Sequence, residues 1–417
     1  MTSPETLSNW SGTVSFRPSR ILRPRTLDEL REVVAASTKV RAIGTAHSFN
    51  LIADTTGDLV SVGGLPPQIV IDGAASTVSV GAGVRYGELA GPLHEAGYAL
   101  RNLGSLPHIS IAGACATGTH GSGAGNGSLA TAVAGAEFVT ATGDVAQLTR
   151  ADADFPGAVV SLGGLGIVTR MTLDIVPTYE IEQIVYDDLP TDALLADFDD
   201  IMDSAYSVSV FTDWRAERSN QVWQKSLVGA RTEPPRAGVR ADGPRHPLPG
   251  VSAESCTEQD GVAGPWHMRL PHFRLEFTPS SGEEIQTEYF VARADAVAAL
   301  RALEPLAPRI AAVLQISEIR AIAADDLWLS MAYGRESVAL HFTWVKDARA
   351  VAPVVAAIDE SLAPFAPRPH WGKVFATEPA DLARRYRRGD DFRDLLSSYD
   401  PKGKFRNGFL DAYFPPR

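Results

Sequence analysis

The run GSLPHISIAGACATGTHGSGAGNGS, residues 104–128, constrains the fold more than any other part of this chain. Glycine, alanine, serine and threonine dominate it, and residues this small cannot fill a core of their own. Such a run either stays loose, as Gly/Ser linkers do, or is held against something large. Leu106, Ile109 and Ile111 punctuate it at core-like spacing, which argues for a held segment. Glycines let a backbone lie against a planar ligand, and hydroxyls donate to its oxygens. His108, Cys115 and His120 within the run offer metal-ligand chemistry, but their spacing matches no familiar zinc pattern, so no metal is expected.

A second small-residue stretch, GTAHSFN at 44–50, leaves the apolar run VRAI. Successive N–H groups of small residues can converge on one point, an anion nest suited to a diphosphate. GxGxxG and a Walker lysine are both absent. On this loop alone, a tight turn with an incidental His47 explains the residues equally well.

Around these stretches the first 180 residues mix helices, strands and hairpins, the pattern of an α+β domain. Thr26 and Glu29 have capping-box spacing ahead of a helix through Leu30, Val33 and Val34. QIVID with TVSVGAG (68–83) and AEFVTATGDVAQLT (136–149) read as hairpins. Residues 86–96 read as a helix stopped by Gly97, and GIVTRMTLDIVP (166–177) as the last strand. The texture changes near Thr178. Beyond it come strands at 206–214, 285–292, 314–322 and 338–345, with helices near 293–303 and 351–363. These predict a second, mostly antiparallel domain. Residues 230–272 are dense in proline, glycine and charge, the signature of a long functional excursion. Cys256, Trp266 and His267 there are expected to form a lid, and His94 and His246 to lie on the surface.

One strand carries buried chemistry. In LQISEIRAI, Leu314, Ile316, Glu318, Arg320 and Ile322 share a face by the two-residue period. In ALHFTWV, His341 and Thr343 share another. Charges interrupting an apolar face must be paired or must face a ligand cavity.

Composition narrows the partner. The chain has 417 residues, 45% apolar, with 50 acidic against 38 basic side chains and a net charge of -12. That length allows two cores, and that charge gives no general attraction for nucleic acid or anionic membrane. A small-molecule partner is expected. Two cysteines in unrelated contexts suit a reducing compartment. The stretch MTSPETLSNWSG has no signal-peptide pattern, and no apolar run reaches the ~20 residues of a membrane helix. A cytoplasmic location is expected.

GTAHSFN, LPHISIAGACATGTHGSG, LGGLGIVT, PHWGK and DPKGKFRN, in that order, resemble the vanillyl-alcohol oxidase flavoprotein superfamily, and within it the branch of sugar-acid lactone and alditol (polyol) oxidases. The resemblance spans nearly the whole chain. It implies an α+β, two-domain flavoprotein. A PCMH-type FAD-binding domain would cover 1–178, completed by 374–417. A mostly antiparallel-sheet substrate (cap) domain would cover 179–373. His47 would hold the flavin 8α-methyl group covalently. Ala42, Ile43, Gly44, Thr45, Ala46 and Ser48 would hold the diphosphate. Ser105, Ser110, Gly113, Thr117, Gly118, Thr119 and His120 would line the cofactor, and the Ile167 backbone would meet its adenine side. Cys115 does not sit where relatives carry a second link, so one covalent bond is expected.

The resemblance also gives Ser105, Glu318, Arg320, Thr343 and Lys373 to substrate binding. The catalytic candidates are Arg320 and Lys373, which can stabilise the alkoxide, and a base that is either His341, by its ordinary pKa, or Lys373, if its pKa is lowered. The implied reaction oxidises the terminal alcohol of xylitol, sorbitol or glycerol to the aldehyde, with oxygen reduced to hydrogen peroxide. An aldonolactone oxidase or dehydrogenase would share these motifs. Gly104 leaves room for oxygen beside the flavin, a hint toward an oxidase. A monomer is expected.

Overall fold

The computed structural model describes residues 7–230, 232–277 and 282–416. Among the described residues its first part holds three small sheets, one of them only the pair Tyr98–Ala99 and Val176–Pro177. Strands Arg20–Leu22, Asp58–Ser61 and Val40–Ile43 form a parallel sheet, and a five-stranded antiparallel sheet contains both expected hairpins. The helix Leu27–Ala36 starts as its sequence implies. Thr26 Oγ1 accepts the Glu29 N–H at 3.1 Å, and Leu30 and Val34, one turn apart, are buried. The second helix, Tyr86–Glu95, is followed by Gly97 at φ +85°, a conformation that favours glycine.

The second part is built on a nine-stranded, antiparallel sheet. Strand Leu314–Ile322 lies at its centre, between Ser207–Thr212 and Ser337–Val345, with Glu284–Ala292 beyond. One face is apolar. Ile319, Ala321, Leu340, Phe342 and Trp344 pack with residues of helices Ala296–Leu303 and Ala348–Leu362. The alternate residues, Glu318, Arg320, His341 and Thr343, point the other way, toward the first part. One expected member of that face is misplaced. The register slips between Leu314 and Ile316, and the irregularity turns Leu314 to the helix side, while Ile316 stays with Glu318.

The C-terminal segment returns to the first part. Helices Gly389–Tyr399 and Gly408–Tyr413 contribute Leu395, Leu396 and Leu410 to its core. Asn407 Nδ2 donates to the carbonyls of Leu51, Ile52 and Asp54. The α+β expectation holds. The 230–272 excursion is largely irregular, but its expected lid residues pack elsewhere. Trp266 is fully buried in the core of the first part, Cys256 sits with Phe211, Trp223 and Phe273, and neither they nor His267 line the central cavity. His246 is not on the surface. It is buried, lines that cavity, and accepts the Leu248 N–H through Nδ1.

Candidate active site

One cavity lies between the small-residue loops and the charged sheet face, with about 270 Å³ open to the centre of a water molecule. From the first part it is lined by Ala42, Ile43, Gly44, Thr45, Ala46, His47 and Ser48, and by Ser105, Ser110, Gly113, Thr117, Thr119 and His120. Gly118 and Ile167 are not among the lining residues. Gly118 takes φ +69° beside Met331. Ile167 is fully buried in the core, and its neighbours Gly166 and Val168 reach the cavity instead.

The loop geometry explains its small residues. A methyl group on Gly44 would stand 2.3 Å from Ser110 Oγ, and one on Gly113 2.9 Å from the same atom. The first run therefore needs glycine at position 44 to pass the second, and Gly113 leaves room for Ser110 within its own run. Ala46 adopts φ +55°, a turn that presents His47 at the tip. His47 stacks on Trp10 with ring centroids 5.3 Å apart, and its buried Nδ1 has no partner among the described residues. Burial, helped by His108, lowers its pKa to about 4, so the imidazole is neutral. The loop is laced to PHWGK: Phe49 N–H donates to the Gly372 carbonyl, and Asn50 Nδ2 to those of Trp371 and Lys373. A metal site is not assembled. Cys115 contacts Tyr86, His108 bonds the Leu275 carbonyl, and no group of three ligating side chains is gathered among the described residues.

The opposite wall is a charge network. Its centre is Glu288, absent from the sequence expectation. Register sets His341 directly between Glu318 and Glu288 on the neighbouring strands. Glu288 Oε2 accepts from Lys373 Nζ at 2.7 Å, and Oε1 meets Arg320 Nη2 at 2.5 Å and His120 Nε2 at 3.2 Å. Desolvation would raise the Glu288 pKa, but Lys373, His120 and Arg320 hold it well below the usual carboxylate range. Arg320 also lies 3.5 Å from Glu318 and donates to Ser105 Oγ at 3.3 Å. The site thus joins Ser105 of the long run to the sheet.

Lys373 Nζ is also 2.8 Å from His341 Nδ1, and His341 Nε2 is 3.1 Å from Thr343 Oγ1. An ammonium only donates, so Nδ1 accepts, and Nε2 of the neutral ring carries the hydrogen toward Thr343. Burial and Lys373 push the His341 pKa well below its ordinary value. Glu318 accepts from His272 Nε2 at 2.8 Å. Phe211, Leu248, Phe273 and Ile316 form an apolar flank.

Sequence reasoning missed Glu288, Gln286, His272 and His370, all of which line the cavity. A signal for Glu288 existed: Glu284, Gln286 and Glu288 recur every second residue, with Ile285, Tyr289 and Val291 on the apolar face. His272, in irregular chain, had none.

Comparisons with known proteins give the family. Residues 18–149 match a family model described as an FAD binding domain, and residues 282–413 one described as D-arabinono-1,4-lactone oxidase. An alditol oxidase from Streptomyces sp. is 49% identical over 97% of this chain and 98% of its own. The chain belongs to the alditol oxidase family of the vanillyl-alcohol oxidase flavoproteins. An L-gulono-1,4-lactone dehydrogenase of Mycobacterium tuberculosis is 29% identical over 98% of this chain and 99% of its own. The fold is that of a crystal structure of cholesterol oxidase from B. sterolicum, with a TM-score of 0.80 at 16% identity, covering 98% of this chain and 96% of that one. The cofactor of this family member is FAD. The glycine crossing at Ser110, the hydroxyls of Thr45, Thr117 and Thr119, and the unpartnered His47 nitrogen are donors and space that fit it.

Proposed function

We propose that this protein oxidises the terminal primary alcohol of alditols such as xylitol, sorbitol or glycerol to the aldehyde, with oxygen reduced to hydrogen peroxide. The observation that carries this reading is the sheet face opposite the flavin loops, where Glu318, Arg320, Thr343 and Lys373 converge with Ser105. A polyol presents donors and acceptors on successive carbons. Glu318 accepts from its hydroxyls, and Thr343 and Ser105 both give and take. Arg320 and Lys373 stabilise the oxygen of the reacting alcohol as its proton leaves. His341 Nδ1 takes that proton once the substrate oxygen replaces it as the Lys373 acceptor, with Glu288 and Glu318 opposing the burial and the Lys373 charge that hold its pKa down. Bound FAD supplies the two-electron acceptor for the alcohol carbon, and oxygen takes the electron pair onward. The division at 178 and 373, with 374–417 closing the flavin domain, follows from the same reading.

We assign the covalent flavin bond to His47. A half-buried, neutral imidazole whose buried Nδ1 is free is the nucleophile such a bond requires. Two buried unpaired cysteines support a reducing, cytoplasmic setting, and among the described residues no helix is long and apolar enough to cross a membrane. A monomer is proposed.

The test has two parts. Acid denaturation followed by a gel should show a fluorescent protein band, and a dark band refutes the bond. Anaerobic xylitol should bleach the flavin absorption, and failure of every polyol to do so refutes the activity. The match of 282–413 to a lactone oxidase model supports a second reading, an aldonolactone oxidase. Oxygen consumption faster with gulonolactone than with xylitol selects it.

A further inference from the structure

Lys225 is a buried cation that the reaction above does not use. It sits on strand Arg218–Leu227, only 1% exposed, with its ammonium 5.8 Å from the Trp223 ring. That ammonium has three hydrogens and three acceptors: the Leu270 carbonyl, the Pro271 carbonyl at 3.2 Å, and His272 Nδ1 at 3.1 Å. All three belong to one irregular strap, residues 270–272, at the end of the long excursion.

The strap carries two further contacts. His272 Nε2 meets Glu318 Oε1 at 2.8 Å, and the His272 backbone N–H donates to the Ser105 carbonyl at 3.0 Å. Ser105 and Glu318 come from different domains, and both face the substrate space. The lysine also chooses the imidazole tautomer. An ammonium can only donate, so Nδ1 must accept, and in the neutral ring the hydrogen is then on Nε2, pointed at the carboxylate. The opposite tautomer would set a bare nitrogen against Glu318. Trp223 and Phe211 pack edge-on against the ring, at centroid distances of 5.1 and 5.6 Å, and hold its plane.

We propose that Lys225 is a positioning residue for substrate binding: through the strap it fixes the His272 tautomer and so aims Glu318 and Ser105 at the polyol. It touches neither substrate nor flavin. Its desolvation is offset by the three hydrogen bonds it makes to the strap, and those bonds fix the strap's geometry. Burial lowers its pKa to about 7, against the pull of Glu318 and Cys256, with Arg320 adding to the lowering, so the ammonium that sets the His272 tautomer is the form present below about pH 7. His272, at about 4, stays neutral beside it.

The inference rests on polyols being the substrate, and its test separates the two. Wild-type holoenzyme is first reduced anaerobically with xylitol; if no polyol bleaches it, the functional reading fails and the lysine is not at issue. With bleaching established, Lys225→Met should raise KM for xylitol about tenfold while the limiting rate of flavin reduction changes by less than about threefold. Its melting temperature should fall, since the Leu270 and Pro271 carbonyls and His272 Nδ1 lose their donor. A variant that melts lower with KM unchanged overturns the proposal in favour of a purely structural lysine. A second comparison covers a variant that fails to fold. His272→Gln can accept from the lysine and donate to the carboxylate, so it should raise KM less than His272→Leu does. Equal KM values for the two overturn the proposal as well.

Discussion

The two walls of the cavity are built on opposite principles. The small-residue loops work through backbone and space: a glycine where the two runs cross, small hydroxyls, and a single histidine at a turn of positive φ. The sheet wall works through charge, with Glu288, Glu318, Arg320 and Lys373 locked together out of water. A planar cofactor needs close approach and many weak donors. A flexible polyol needs strong groups held in fixed positions, and buried charges stay fixed only when each is paired. The loop wall should therefore fail sterically and the sheet wall electrostatically.

The largest effect should come from the charge wall. Glu288→Ala leaves Arg320 and Lys373 buried without their shared carboxylate, and kcat/KM should fall by roughly 10³-fold. Steady-state kinetics on flavin-loaded enzyme checks this, and a loss below about tenfold would mean that the two cations find other partners. The loop wall breaks next. Gly44→Ala presses a methyl against Ser110 Oγ, so the ratio of flavin to protein absorbance should drop severalfold, and adding Ser110→Ala should recover much of it.

Gly104→Val sharpens the contrast. A Cβ at Gly104 meets nothing closer than 3.6 Å, so protein packing tolerates it and the flavin should stay. Stopped-flow reoxidation by oxygen should slow about tenfold, because the added methyls occupy the cavity. Unchanged reoxidation would remove the oxygen-access role of this glycine.

The smallest effect is on stability with pH. His272 is held neutral in the fold, at about 4 against an ordinary 6.5, chiefly by burial and by Lys225. The unfolded chain takes up this proton first, so stability should decline as pH falls from about 6.5 toward 4. Glu288 and Glu318, both held low in the fold, add the same sign from about 4.5 downward. In thermal melts, His272→Gln should flatten the upper part of this decline; a slope identical to wild type would clear His272 of it.

Sequence alone determined the family, the α+β character and most of the loop wall. Those features are contiguous: the runs at 44–50 and 104–128 state their small-residue requirement locally, and strand periodicity put Glu318 and Arg320 on one face. Tertiary structure decided what depends on register and on crossing chains. It set Glu288 beside Lys373 and Arg320, turned Leu314 away through an irregular register, drew His246 inward and carried His272 onto Glu318. A lone charge in a sequence does not reveal its partner, because pairing is fixed only when strands far apart in the chain lie side by side.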